Sequence, residues 1–174
     1  DTTVPTVDAG ALPGVKNSIF KHHGEVKDAN PLLRVMWSKV SGLGAVSFGT
    51  PKSVHTTVKV DVDGPYTIRL TAVDAAGNEN SDEVSFVWDT TVPTVDAGAL
   101  PGVKNSIFKH HGEVKDANPL LRVMWSKVSG LGEVRVGRPN SVVTTVKEDV
   151  DGPCTIRLTA VYAAGNENSQ EVSF

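Results

Sequence analysis

The 174-residue chain holds a single cysteine, Cys154, and only 6% of its residues are aromatic. One cysteine excludes an internal disulfide, so packing and hydrogen bonds must hold the fold together, and Cys154 is expected to be a buried, inert thiol. That usage suits either redox compartment. With so few rings, most are expected to be committed to cores, leaving few for an exposed aromatic platform. No apolar run reaches the length that a membrane-spanning helix needs. The 17 Lys and Arg against 20 Asp and Glu leave a net charge of -3, so no basic face recruits nucleic acid or anionic lipid. Helical periodicity is missing as well: no window sustains apolar residues at i, i+3, i+4 and i+7.

What is present is a repeat. Shifting the chain by 88 residues brings Asp1 to Gly10 onto Asp89 to Gly98, and of 86 comparable positions ten differ. Residues 1–44 and 89–132 are identical, and every difference falls between Ala45/Glu133 and Asp82/Gln170. Self-similarity of this kind means two copies of one folding unit, 1–88 and 89–174, each large enough for one modest core. No signal peptide opens the chain, which starts at a repeat boundary and stops where the first copy continues with Val87-Trp88. It reads as a piece of a longer array.

Within a unit, Val, Thr and Ile abound while Gly and Pro recur, as in strands and turns. Val4-Pro5-Thr6-Val7 is expected to be a short edge strand, because proline is tolerated where no ladder donor is needed. Ser18 to Lys27 reads as a strand with Ile19, Phe20 and Val26 as apolar members, interrupted at Gly24 by a bulge or close approach. Leu33, Val35 and Trp37 alternate with polar or outward residues, which makes Trp37 and its twin Trp125 the expected core anchors. Val46–Phe48 and Val54–Val60 follow as strands. After the Asp61-Val62-Asp63-Gly64-Pro65 corner, Tyr66, Ile68, Leu70 and Ala72 alternate inward, and Val84, Phe86 and Trp88 close the unit. The expected fold class is all-β: two tandem antiparallel β-sandwiches of about seven strands each, joined by a short stiff linker.

Val7-Asp8-Ala9-Gly10, Trp37-Ser38-Lys39-Val40-Ser41-Gly42 and Asp63-Gly64-Pro65-Tyr66-Thr67-Ile68-Arg69-Leu70-Thr71 resemble the PKD-type immunoglobulin-like repeat. Asp74-Ala75-Ala76-Gly77-Asn78 is similar to the last hairpin turn of bacterial Ig-like repeats. The family's Trp-x-Phe-Gly-Asp-Gly string is absent after Trp37. Gly64-x-Tyr66 fits the tyrosine corner of Ig-like folds, which the second copy has lost at Cys154 and is expected to hold less firmly.

Sequence motifs for chemistry are scarce. His22-His23 and His110-His111 are neighbours on a strand, so each pair points to opposite faces and cannot converge on one metal. His55 becomes Val143, and the histidines are expected to be structural or at the surface. There is no Gly-x-Ser-x-Gly elbow and no glycine-rich phosphate loop, and an enzyme is not expected. Oxygen ligands carry more weight. Ig-like connectivity would bring Asp61 and Asp63 of the first copy toward Asp116 and Asn118 of the second, with Asp89 between them, a set suited to calcium at the junction. The resemblance implies the same, since some PKD-type repeats hold calcium near the loop matching Asp28-Ala29-Asn30. The linker from Trp88 to Pro93 lacks glycine and is rich in β-branched residues, so it is expected to be extended and stiff, with Trp88 burying against the next unit.

Ala45→Glu133, Ser47→Arg135 and Thr50→Arg138 add charge beside an expected edge strand; drift after a recent duplication is the favoured reading, and resistance to strand pairing between near-identical neighbours and diversification of a binding surface are the others. The expectation for the whole is a non-enzymatic spacer in an extracellular, adhesin-like surface protein, adjoining further identical repeats. The alternative is an accessory module that binds a host or matrix glycan or protein.

Overall fold

A computed structural model describes residues 2–100, 102 and 106–174. The described residues contain strands and turns and no helix. They divide into two compact units, Asp1–Thr90 and Thr91–Phe174.

Unit 1 contains β1 (Thr6–Asp8), β2 (Val15–Lys16), β3 (Phe20–His23), β4 (Glu25–Lys27), β5 (Leu32–Ser41), β6 (Val46–Phe48), β7 (His55–Val60), β8 (Gly64–Asp74) and β9 (Glu79–Trp88). One layer has the order β2-β9-β8-β5; the other is formed by β3-β7-β6, with β1 paired to β4 beside it. Unit 2 repeats this plan with β10 (Thr94–Asp96), β11 (Phe108–His111), β12 (Glu113–Lys115), β13 (Leu120–Ser129), β14 (Val134–Val136), β15 (Val143–Glu148), β16 (Thr155–Tyr162) and β17 (Glu167–Ser173). Val103 and Lys104, the twins of β2, lie outside the described residues.

The period-2 pattern decides which face is buried. Tyr66, Ile68, Leu70 and Ala72 of β8 are all buried, and the first three pack in one core with Trp37, Val84, Phe86 and Trp88. Phe20 packs edge-on against Phe86 at 5.2 Å between ring centres, and Tyr66 stacks on the same ring at 5.7 Å. Trp37 and Trp125 are the expected anchors; each also satisfies its indole N–H by donating to a carbonyl, Ser53 O at 3.0 Å and Ser141 O at 2.9 Å. A ring this large is buried without penalty only when its polar edge finds such a partner. The side chain of Leu33 lies outside the described ones.

Gly24 is where one long strand changes partner: β3 before it pairs with β7, and β4 after it pairs with β1. A side chain there would lie 2.5 Å from Leu70 Cδ2 and 3.1 Å from Trp37 Cζ2, so the reason for glycine is close approach to the core. Two expectations are corrected. Ile19 is 59% exposed and not a core member, because the strand begins only at Phe20; His22 takes the buried position. Nor are all pairs antiparallel: Val15–Lys16 runs parallel to Val87–Trp88. Loop length could not show this pairing, since the segment joins the far edge of the sheet formed by the end of the unit.

Candidate functional site

The linker residues are held by side chains on either side of them. Asp89 is 2% exposed, and its amide donates to Lys16 O at 2.8 Å. The amide and hydroxyl of Thr90 both donate to Asp63 Oδ1, at 3.0 and 2.9 Å. On the other side, Pro93 is fully buried and its carbonyl accepts Asn168 Nδ2 at 2.8 Å, as Pro5 O accepts Asn80 Nδ2 in unit 1. Between the anchored residues Thr90 and Pro93 stand only Thr91 and Val92. Trp88, expected to pack on the following unit, is placed in the core of its own, where it pairs with Gly64 on β8. Its position on β9 fixes it facing Tyr66 and Phe86.

The carboxylates singled out for calcium have local duties. Asp61 Oδ1 accepts the amide of Ala45 at 2.7 Å, and Asp63 caps Thr90 as above. In unit 2, Asp116 Oδ1 accepts the amide of Asn118 at 3.0 Å, while Asp116 Oδ2, like its twin Asp28 Oδ2, is buried without a hydrogen-bond partner. Within either unit, no three His, Cys, Asp or Glu side chains among the described residues gather to hold an ion. Asp61, Asp63 and Asp89 therefore do not make a cation site by themselves. Each of these contacts is one that turn-forming Asp and Asn supply in the absence of any ligand.

The tyrosine corner is complete in unit 1. Tyr66 Oη donates to Val62 O at 2.7 Å and accepts the amide of Gly44 at 2.8 Å. In unit 2 the smaller Cys154 donates its thiol to Ser129 O at 3.3 Å, and β16 begins at Thr155, later than the twin position of Gly64 at which β8 begins. A second difference accompanies it: Val60, 3% exposed in the core of unit 1, is Glu148 in unit 2. Burial, then the hydrogen bond and charge of Glu148, push the Cys154 thiol up to about 12, so it stays protonated and unreactive at neutral pH. The carboxylate of Glu148 thus sits beside the sulfur where the first unit has a phenol and a valine.

The difference at Asp82/Gln170 is conservative in effect. Asp82 Oδ2 accepts the amide of Ala9 at 2.8 Å, and Gln170 Oε1 accepts that of Ala97 at 2.6 Å: the charge changes and the acceptor stays. Asp74 is fully buried and receives both the side-chain and backbone N–H of Asn78, which hold its carboxyl below the usual range. Its replacement Tyr162 packs in the core of unit 2, where burial and the charge of Asp116 push the phenol up. Glu133, Arg135 and Arg138 are exposed on and beside β14, which pairs only with β15 among the described strands and so is an edge.

The adjacent histidines divide as alternation requires. His22 and His110 are buried and bond through Nε2 to the carbonyls of Ala9 (2.6 Å) and Ala97 (2.5 Å); burial lowers the pKa of both. His23 and His111 face outward. A contact that spacing did not reveal is the one between His23 and His55, which are opposite each other on β3 and β7. The only available signal was the match in register of two outward positions.

Among solved structures, the fibronectin(III)-like modules of Clostridium thermocellum CbhA are similar to 98% of this chain, over 92% of their own length, with 16% identity and a TM-score of 0.50. A PKD domain from the KIAA 1837 protein is similar to 47% of the chain, over 83% of its own length, with 21% identity and a TM-score of 0.41. The D00-D0 domain of Intimin is similar over 97% of this chain and 96% of its own, with 15% identity and a TM-score of 0.46. No family model and no curated protein matches the chain. Together with the strand order, the first of these likenesses places both units in the Ig-like class of β-sandwich, a statement about fold alone.

Proposed function

We propose that the chain is a non-enzymatic spacer: tandem Ig-like repeats from the stalk of an extracellular, adhesin-like bacterial surface protein that carries a binding domain away from the surface. The observation that carries this reading is the short interval between anchors. Thr90 is tied to Asp63, Pro93 is tied to Asn168, and two residues separate them. A β-branched pair held at both ends has few conformations to explore, which supports a stiff connection between repeats. Near-identity of the copies supports the same reading, because a spacer needs many equal units and no variety among them.

Small-angle scattering on the chain, and on a variant with a Gly-Ser segment inserted between Thr91 and Val92, tests it. The expected result is an extended parent with one narrow distribution of distances, and a variant whose distribution broadens and shortens. A parent as broadly distributed as the variant would overturn the spacer. Tight, saturable glycan binding by one unit would favour an accessory binding module instead.

A further inference from the structure

We propose that His23 and His55 of unit 1 form a two-imidazole site for a divalent transition cation of the zinc and copper class. The two rings stand directly opposite on β3 and β7, with Nδ1 to Nδ1 at 2.7 Å, ring centres at 4.7 Å and planes at 66°. Both side chains are exposed, at the side of a shallow hollow bordered by Lys21, Thr50 and Thr57. In the metal-free pair one Nδ1 donates its proton and the other accepts it, so both Nδ1 atoms already point at one place, one as N–H and one with its lone pair. Two imidazoles bound to a tetrahedral ion at about 2.0–2.1 Å have nitrogens roughly 3.3 Å apart, so modest ring rotations admit the metal. The ring that carried the Nδ1 proton binds as its other tautomer, with that proton transferred through water to Nε2 and none lost overall. Neutral imidazole is a preferred ligand of zinc and copper, and the remaining coordination positions stay open to water.

The backbone under each ring is held in place. His55 donates its amide to Ser53 Oγ at 3.3 Å and accepts the hydroxyl of Thr50 at 2.6 Å, and the amide of Gly24 next to His23 donates to Val54 O at 2.9 Å. Unit 2 provides an internal control. Its His111 stands opposite Val143 in the same register, and Arg138 replaces Thr50 beside the hollow. One ligand is gone and a positive charge has been added, both unfavourable to a cation.

The site is tested on the full chain by calorimetric titration with Zn²⁺ alone and by the imidazole resonances of the five histidines. One saturable event is expected, perturbing His23 and His55 and leaving His22 and His110 unmoved. His55→Val, which installs the residue unit 2 already carries at that position, should weaken it more than about tenfold, at least what loss of a group supporting a metal ligand produces. Val143→His with Arg138→Thr should create a second site of similar affinity at His111. Affinity unchanged by His55→Val, or no saturable Zn²⁺ binding tighter than about 1 mM in the parent chain, would overturn the proposal.

Discussion

The two copies share residues 1–44 and 89–132 letter for letter, yet they solve one corner of the sandwich differently. Unit 1 fills it with the ring of Tyr66, ties the hydroxyl to Val62 O and the Gly44 amide, and backs it with Val60. Unit 2 fills it with Cys154 beside Glu148. Neither change makes sense alone. A cysteine in place of tyrosine leaves a void, and a glutamate in place of a buried valine leaves a charge beside a core; together, the smaller residue makes room for the longer one, and the thiol beside the carboxylate stays protonated and adds no second charge. Two buried neighbours have changed together at this corner, whereas the single change Asp82/Gln170 keeps the bond it replaces.

The sharpest way to break this comparison is a double-mutant cycle in unit 1. Tyr66→Cys should destabilise it by about 3 kcal/mol, through the cavity and two lost hydrogen bonds. Val60→Glu alone should lower stability by a similar amount, about 3 kcal/mol, for an uncompensated buried charge. The pair should cost less than the sum by at least about 1 kcal/mol, measured by denaturant unfolding; strict additivity would show that the two positions are not coupled.

The next largest effect should be common to both units. His22 and His110 have pKa values lowered by burial, so the unfolded chain binds protons more readily than the folded one. Stability is therefore fully present above the ordinary histidine pKa of 6.5 and falls as pH drops through 6.5 toward the lowered folded values. Melting followed from pH 8 to pH 5 should show both units losing stability together, and His22→Gln with His110→Gln should flatten the slope; an unchanged slope would remove the buried imidazoles from the account.

Smaller still is Asp82→Gln, which copies Gln170 into unit 1 and should change stability by no more than about 0.5 kcal/mol in urea unfolding, because the acceptor for Ala9 is retained. A larger loss would mean that the charge and not the bond was needed. The smallest effect is expected from chelation: the turn contacts of Asp61, Asp63 and Asp116 with backbone amides form without an ion, so EDTA should leave the melting midpoint unchanged. A fall of several degrees would show a structural cation.

Much of the fold is legible from residues 1–88 alone. Alternation marks Tyr66, Ile68, Leu70 and Ala72 as one buried face, and the glycine inside Ser18–Lys27 marks the point of close approach, because a side-chain period of two depends only on the local backbone. The repeat itself, and with it the existence of two equal units, needs nothing but the sequence. What only the tertiary structure decided is which strands become neighbours. Period two says that His23 and His55 face outward but not that β3 lies beside β7 in a register that sets them opposite. It marks Val15-Lys16 as nothing in particular, and only the layer order makes it a parallel partner of β9. It cannot say that Glu148 stands beside Cys154. These are contacts between residues distant in sequence, settled by how two layers pack, and no local pattern carries that information.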